Sequence, residues 1–285
     1  MNYTIHEVSD GGLDYPREAM LPKDPDPELE AQYPPVLSIP YRPVVIRIHG
    51  RTVLLDSGAG PLAPTTGKLE ESLRQQAISP KTIDMVVLSQ AHADHIGGLL
   101  REDGLPAFPN ARIVIAREEY DFWRNSGIRD QLGTGSVYGN AMIEAAIGQW
   151  FNRYLLALES RLELVESDAE VIPGVRLMRA PGHTPGHCAV LVHAHREVLL
   201  FLADAFALPA QIQHPEWTSS FDLDAAETVQ TRLALLDLAC ADECRVIHYH
   251  VPGIGRIVRG SSGYAWEADA PSMGAALTQN SSAQG

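Results

Sequence analysis

The stretch that decides the fold of this chain is Ser89-Gln90-Ala91-His92-Ala93-Asp94-His95-Ile96-Gly97-Gly98. It directly follows the apolar run Met85-Val86-Val87-Leu88, which is typical of a buried strand. Two imidazoles and one carboxylate fall within four residues, and zinc-like ions prefer these ligand types. Side chains at the end of a rigid strand are held in place before any ion arrives. Because the paired glycines also let the backbone turn sharply, the stretch predicts a metal site on a loop.

The composition limits which partners the protein can have. The 285 residues are 45% hydrophobic, which suffices for one large core or two small ones. A formal net charge of −14 argues against nucleic acid and anionic membranes as partners, but it says little about a small neutral substrate. The N-terminus lacks a basic region followed by an apolar stretch, and no apolar run approaches the roughly 18–20 residues of a membrane span. We therefore expect a cytoplasmic protein with three reduced cysteines, Cys188, Cys240 and Cys244.

The chain divides into three parts by composition. Residues 1–35 are rich in Pro and acidic residues and predict an irregular N-terminal arm, which lies on the domain or on a partner subunit. Residues 36–268 alternate strand and helix patterns and predict the main domain, with Val246-Ile247 as its final strand. The Gly-rich stretch 126–139 predicts a mobile loop, and residues 269–285 predict a flexible tail.

Further histidines and acids follow predicted strands. Pro181-Gly182-His183-Thr184-Pro185-Gly186-His187 is a constrained loop that presents His183. Asp204 comes just after an apolar strand, where an Asp is also a common helix cap. His248 and His250 both follow the last predicted strand. Loops of this kind could supply ligands to the same ion as the first stretch.

At these residues the chain resembles the metallo-β-lactamase-fold hydrolases, whose signature is H-x-H-x-D-H. Here Gln90 stands in place of the leading His. The likeness runs from about Val44 to about Ile257 and is closest to the branch with methyl parathion hydrolase and the N-acyl-homoserine lactonases. It implies an α/β protein, an αββα sandwich in which two mixed β-sheets lie face to face with helices on the outer faces.

The resemblance implies a dinuclear metal centre, with Zn²⁺ expected and Mn, Fe or Co as alternatives. His92 and His183 would form the first site, which Gln90 could join only through a weakly coordinating amide oxygen. The first site is therefore expected to be looser, with one ion or unequal occupancy. The full set of implied ligands is Gln90, His92, Asp94, His95, His183, Asp204 and His248.

The resemblance also assigns roles around the ions. Asp204 would bridge the two sites, and Asp94 would in addition act in catalysis, by orienting a hydroxide or carrying a proton to the leaving group. Asp56 and His187 would support the ligands through hydrogen bonds, although His187 could equally be an ordinary core imidazole. His248 is preferred over His250 because it stands four residues before the pair Pro252-Gly253. The candidates for the substrate pocket are His250, Tyr249, Phe206 and Trp123.

The implied function is a metal-dependent hydrolase that uses a metal-bound hydroxide to cleave a lactone, ester or phosphotriester of a small molecule. A glyoxalase-II-like thioesterase is an alternative, but it would call for a basic patch, and the net charge is −14. A catalytically inactive binding protein of the same fold is a second alternative. Gln90 does not by itself imply inactivity, because Gln also stands at this position in some active members. The Pro-rich arm could cross to a second copy in a homodimer.

Overall fold

The structure is a computed structural model that describes residues 3–21, 33–125, 149–194, 197–261 and 263–269. Within these residues, two large β-sheets and a separate two-stranded ribbon are formed. The strands are β1 Thr4–Glu7, β2 Gly11–Pro16, β3 Val36–Tyr41, β4 Val44–Ile48, β5 Arg51–Leu55, β6 Met85–Val87, β7 Arg112–Ala116, β8 Leu162–Val165, β9 Glu170–Ile172, β10 Val175–Arg179, β11 Cys188–Ala194, β12 Glu197–Phe201, β13 Arg245–Ile247, β14 Ile254–Gly260 and β15 Gly263–Ala268.

Helices connect and cover these strands. The α-helices are α1 Arg17–Met20, α2 Leu69–Gln75, α3 Ala93–Ile96, α4 Arg117–Arg124, α5 Ala210–Gln213 and α6 Ala225–Ala241. Four 3₁₀ turns are also formed in the described part of the chain: Pro80–Thr82, Gly97–Leu99, Leu156–Arg161 and Ala203–Ala205. No helix within the described ranges has both the length and the apolar character to cross a membrane.

Both large sheets are mixed. The first has the order β1-β4-β5-β6-β7-β8, and its strands from β5 to β8 run parallel. The second has the order β15-β14-β13-β12-β11-β10-β9, in which β12 and β13 are parallel and the other pairs antiparallel. β2 and β3 pair with each other in an antiparallel ribbon. The mixed sheets agree with the architecture expected from the sequence.

The core shows how the layers stack. On β4, Val44 and Ile46 belong to the apolar cluster that both sheets share, whereas Val45 between them faces the cluster that contains α2 and α4. On β12, Phe201 faces the shared cluster and Leu200 packs with α6. Because successive side chains of a strand point to opposite faces, each sheet has the other sheet on one side and helices on the other. The αββα sandwich is therefore confirmed.

The ends of the parallel strands determine where the loops with the candidate ligands lie. β5 and β6 are parallel with Leu55 opposite Val87, so the residues that follow each strand lie at the same edge. β12 and β13 are parallel with Phe201 opposite Ile247, and they deliver the loops of Asp204 and His250 in the same way. Loops that are distant in sequence thus meet at one end of the sandwich.

The N-terminal arm is more regular than the sequence analysis expected. Thr4–Glu7 pairs antiparallel with β4 at the edge of the first sheet, and Gly11–Pro16 pairs with β3. The free backbone groups of an edge strand readily accept another extended segment. Asp10 ties this arm down, because its buried carboxylate accepts hydrogen bonds from the backbone of Ala59, Gly60, Gly67 and Leu69. Irregular structure was therefore the wrong expectation for these described residues.

The C-terminal part also differs from expectation. Val246-Ile247 is not the final strand, because β14 and β15 extend the second sheet beyond it. The expected mobile loop at 126–139 lies outside the described residues, as does nearly all of the expected tail at 269–285. The domain boundaries and the homodimer stay predictions.

Candidate metal centre

Two groups of potential ligands meet at the loop end of the sandwich. Asp94, His95, Asp204 and His250 form one group, and His92, His183 and Asp204 form the other. Within each group the donor atoms all lie within 4.8 Å of one another. Asp204 belongs to both groups, so its carboxylate is placed between two positions that could each hold an ion.

The outer ring nitrogens of three histidines are held by hydrogen-bond acceptors. The Nδ1 atom of His95 lies 2.8 Å from Asp56, and the Nδ1 atom of His183 lies 2.9 Å from Asp222. The Nδ1 atom of His250 lies 3.0 Å from the carbonyl oxygen of residue 40 in β3. An acceptor at Nδ1 fixes the proton there and leaves the Nε2 lone pair for a metal.

The inner atoms converge on the Asp204 carboxylate. Its Oδ1 atom lies 3.2 Å from Nε2 of His95 and 3.1 Å from Nε2 of His250, and its Oδ2 atom lies 3.2 Å from Nε2 of His183. Oδ1 is buried and has no hydrogen-bond partner among the described residues. A buried carboxylate oxygen without a donor is costly. A divalent ion would satisfy it, so these residues fit a metal.

The electrostatics of the cluster favour positive charge at its centre. Burial by itself raises the pKa of Asp204, but the imidazoles of His95 and His250 outweigh it and hold that pKa well below its usual range. Burial lowers the pKa of His95, yet the carboxylates of Asp204 and Asp94 raise it well above its usual range. Both shifts are those expected of a site built for a cation.

Gln90 touches the cluster through its amide nitrogen. Nε2 donates a hydrogen bond of 2.7 Å to Oδ2 of Asp204 and lies 3.0 Å from Nε2 of His95. Its Oε1 atom is buried without a hydrogen-bond partner among the described residues. In this orientation Gln90 donates to the shared carboxylate rather than coordinating. Rotation of the amide by about 180° would exchange the two atoms and turn the oxygen toward the cluster.

The preference for His248 over His250 needs correction. His250 lies in the first group, whereas the structure puts His248 in neither. The His248 ring is fully buried between Phe206 and Trp266, with centroid distances of 6.2 Å and 4.8 Å. Both of its nitrogens lack a hydrogen-bond partner among the described residues, and burial lowers its pKa to about 3. The structure therefore favours His250 over the histidine that the spacing to the Pro-Gly pair selected, and His250 replaces His248 in the ligand set that we propose.

Three of the residues that were predicted to line the substrate pocket lie elsewhere in the structure. Tyr249, Phe206 and Trp123 are fully buried, and none of them lines the cavity beside the cluster. The Tyr249 ring stacks on His95 at 4.2 Å, and its hydroxyl donates a hydrogen bond of 2.5 Å to the backbone oxygen of Asp94. Trp123 packs its ring against His92 at 5.4 Å. The rings of Tyr249 and Trp123 thus pack against proposed ligands, Phe206 packs against His248, and among the four candidates only His250 lines the cavity.

The two predicted supporting residues have contacts that agree with that role. Asp56 accepts hydrogen bonds from the backbone and hydroxyl of Ser89, as well as holding His95. His187 donates from Nδ1 to the backbone oxygen of Ala180 at 2.7 Å. Its Nε2 atom then accepts from the backbone nitrogen of Asp204 at 3.2 Å. Both residues thus fix the position of a proposed ligand.

Two acidic residues that the sequence analysis did not assign complete the site. Asp222 holds His183 and lies 3.4 Å from the buried guanidinium of Arg232. The Glu119 carboxylate is fully buried on α4, between the loops that carry His92 and His183. For Glu119 a sequence signal existed, because a charged residue stands among the aromatic residues of an amphipathic helix. Asp222 also accepts a hydrogen bond from the nearby backbone nitrogen of Ser219, but its contacts with His183 and Arg232 are tertiary, and a loop residue gives no such signal.

Glu119 links the two ligand loops directly. Its Oε1 atom accepts hydrogen bonds from the backbone of Ala91 at 2.9 Å and from the indole of Trp123 at 2.7 Å. Its Oε2 atom accepts from the hydroxyl of Thr184 at 2.6 Å. Gly186 reaches the same helix so closely that an added Cβ would lie 2.1 Å from the backbone nitrogen of Glu119. The helix and both loops are therefore one packed unit.

Glu119→Ala is expected to destabilise the metal-free protein by ~2–4 kcal/mol, because three donors lose their acceptor in a buried site. The affinity for metal should also fall, by ~10–100-fold, since the ligand loops lose their shared support. Urea denaturation and a metal titration measure the two effects. Glu119→Gln keeps Oε1 for two of the donors and should cost clearly less. Equal stability of all three proteins would contradict this role.

Comparison with known proteins supports the same conclusion. A sequence profile of the metallo-beta-lactamase superfamily matches residues 43–245, which is most of the chain. This chain belongs to that superfamily. Its relatives include an N-acyl homoserine lactonase of a Bacillus species, 26% identical over 63% of this chain and 73% of the relative. Another from Bacillus cereus is 28% identical over 46% of this chain, and the match spans only 41% of that relative's length.

Several solved structures are similar over nearly the whole chain. The relevant example for the site is a lactonase. It is AidC, described as a dizinc quorum-quenching lactonase in complex with a product. The TM-score is 0.83 at 24% sequence identity, and the likeness covers 94% of this chain and 95% of that one. At this level of identity the likeness supports the fold alone.

Proposed function

We propose that this protein is a metal-dependent hydrolase that cleaves a lactone, ester or phosphotriester of a small molecule. The single observation that carries the proposal is the Asp204 carboxylate, shared between two groups of converging ligands with one oxygen left without a hydrogen-bond partner in the described part of the chain. Its position beside a cavity gives a substrate access to both groups.

The proposed ligands follow from the two groups. His92, His183 and Asp204 would hold one ion, and Asp94, His95, His250 and Asp204 the other. Divalent ions held by these residues would lower the pKa of water to roughly 7 and would polarise a carbonyl or phosphoryl oxygen. Imidazole and carboxylate ligands suit zinc, which we propose as the metal. The carboxylate of Asp94 is partly exposed, so it can accept a proton from water and pass it to the leaving group.

The cavity beside the cluster favours a neutral substrate with an apolar part. It has a volume of about 640 Å³, and one end is formed by His92, Asp94, His183, Asp204 and His250. The opposite wall is apolar and contains Leu13, Met20, Ile39 and Phe221. An acyl chain or aryl group would bury its surface there while the reacting bond meets the polar end.

The same wall argues against an anionic thioester substrate. Arg232 is the cation among the described residues that line the cavity. Its guanidinium already donates to the backbone oxygens of Ala205 and Trp217 and faces Asp222. Outside the proposed metal centre, an anionic group would therefore find no free guanidinium in the described wall. The N-acyl homoserine lactonases among the relatives make lactones the substrates to test first.

The experiment compares metal-free protein with protein reconstituted with Zn²⁺, Mn²⁺, Fe²⁺ or Co²⁺. Each form is assayed against N-acyl lactones, aryl esters, phosphotriesters, thioesters and β-lactams. We expect hydrolysis of a lactone, ester or phosphotriester only by reconstituted protein. No hydrolysis of any class with metal bound would refute the proposal, and selective thioester hydrolysis would favour the alternative.

Gln90→His is expected to strengthen binding of a second ion by ~10-fold or more, because an imidazole lone pair replaces an amide that donates to Asp204. Isothermal titration with Zn²⁺ should show two ions of unequal affinity in the unmutated protein and two of closer affinity in the variant. Two equally tight ions in the unmutated protein would contradict the looser first site. Gln230→His, at an exposed position of α6, serves as the matched control.

A further inference from the structure

The ribbon of β2 and β3 contributes two tyrosine hydroxyls to the cavity. Tyr15 and Tyr41 both line it, together with Asp94, Asp204 and His250. Their hydroxyl oxygens are 2.6 Å apart and hydrogen-bonded to each other. The pair shares two protons, but their mutual bond uses only one. The other has no acceptor within the described part of the chain.

The pair is held close to the metal cluster. The Tyr41 ring lies 5.8 Å from the His250 ring and packs against Tyr249 at 6.3 Å. The residue before Tyr41 supplies the carbonyl oxygen that fixes the outer nitrogen of His250. The Tyr15 ring meets the edge of Phe221 at 5.6 Å in the apolar wall. Both phenols are therefore fixed by packing, as preorganised donors must be.

Both hydroxyls keep their protons across the physiological pH range. Burial raises the pKa of Tyr15 and of Tyr41, and the negative charge of Asp94 raises both further. They are consequently suited to donate a hydrogen bond rather than to transfer a proton.

We propose that the Tyr15–Tyr41 pair donates a hydrogen bond, through the hydroxyl proton that their mutual bond does not use, to the substrate oxygen that gains negative charge during hydrolysis. This inference rests on the proposed function. A donor fixed beside the cluster would stabilise the developing oxyanion more than the neutral carbonyl, so its effect falls on kcat. The tyrosines would be catalytic residues that come from the N-terminal ribbon rather than from the loops of the sandwich.

The test is the double variant Tyr15→Phe/Tyr41→Phe, which keeps both rings and removes both hydroxyls. We expect kcat for a lactone or ester to fall by ~10–100-fold, with KM changed less than about threefold, as for a contact made in the transition state. Tyr3→Phe, which removes a hydroxyl bonded to Glu197 on the far edge, is the matched control and should retain full activity.

Binding measurements separate catalysis from structure. The zinc-loaded double variant should bind hexylphosphonate monomethyl ester, a tetrahedral anion, more weakly by the same factor as kcat falls. Its affinity for hexanoate, a planar anion, and its zinc content should not change. Unchanged kcat, or equal losses for both anions, would overturn the proposal. If the unmutated protein hydrolyses no substrate, the proposed function fails, and the phosphonate affinities still decide whether the hydroxyls act as donors.

Discussion

Asp204→Asn is expected to lower kcat/KM by ~10³-fold or more and to remove at least one tightly bound ion. The shared carboxylate carries the negative charge that attracts cations to both groups, and a neutral amide cannot replace it. Loss of several kcal/mol of metal-derived stabilisation of the transition state corresponds to a factor of this size. Steady-state kinetics and metal analysis of the same preparations measure the two effects.

Asp121→Asn is the matched control for this substitution. Asp121 is an exposed carboxylate on α4, so its replacement should leave kinetics and metal content unchanged. The folds of the Asp204→Asn variant and the unmutated protein are compared by circular dichroism in the presence of chelator, where both lack metal. An Asp204→Asn variant that binds two ions and retains activity would contradict the shared-ligand account.

The variants His250→Ala and His248→Leu are expected to differ sharply in metal content and activity, although the two histidines are separated by one residue. Loss of His250 removes a proposed ligand and should lower kcat/KM by ~10²–10³-fold with loss of an ion. His248→Leu should leave metal content unchanged and activity within about threefold. It should also raise stability by ~1–2 kcal/mol, because a leucine replaces a buried ring whose two nitrogens lack partners among the described residues.

Zinc titration, kinetics and urea denaturation of the two variants decide between the histidines. The pair is its own control, since both positions are buried and follow the same strand. If His248→Leu lost the ion and His250→Ala kept it, the spacing argument from the sequence would be right and the ligand set proposed from the structure wrong.

The sandwich was predictable because its signals are local. An apolar run before Ser89 indicated a buried strand, and β6 lies there, although Asp94 and His95 lie on the short helix α3 rather than on the predicted loop. Helices α2, α4 and α6 have local signals as well, because each buries apolar residues on one side and the Asp224 side chain caps α6. The loops of His92, His183 and Asp204 were found because each directly follows a strand or carries constrained Pro-Gly pairs.

The errors concern contacts between distant parts of the chain. Whether His248 or His250 faces the cluster depends on the ribbon, because a carbonyl oxygen 210 residues away fixes His250. The arm appeared irregular because its strands are completed by partners on β4 and β3 rather than by a pattern of their own. No local signal in the sequence marks such pairings. The hydroxyl proton that Tyr15 and Tyr41 leave without an acceptor is likewise apparent only from the paired ribbon.

The most direct test of the account is anomalous diffraction from crystals grown with Zn²⁺, measured on both sides of the zinc absorption edge. The account predicts a strong peak among Asp94, His95, Asp204 and His250, with a weaker one among His92, His183 and Asp204. An absence of anomalous density near Asp204, with zinc bound elsewhere or not at all, would contradict it.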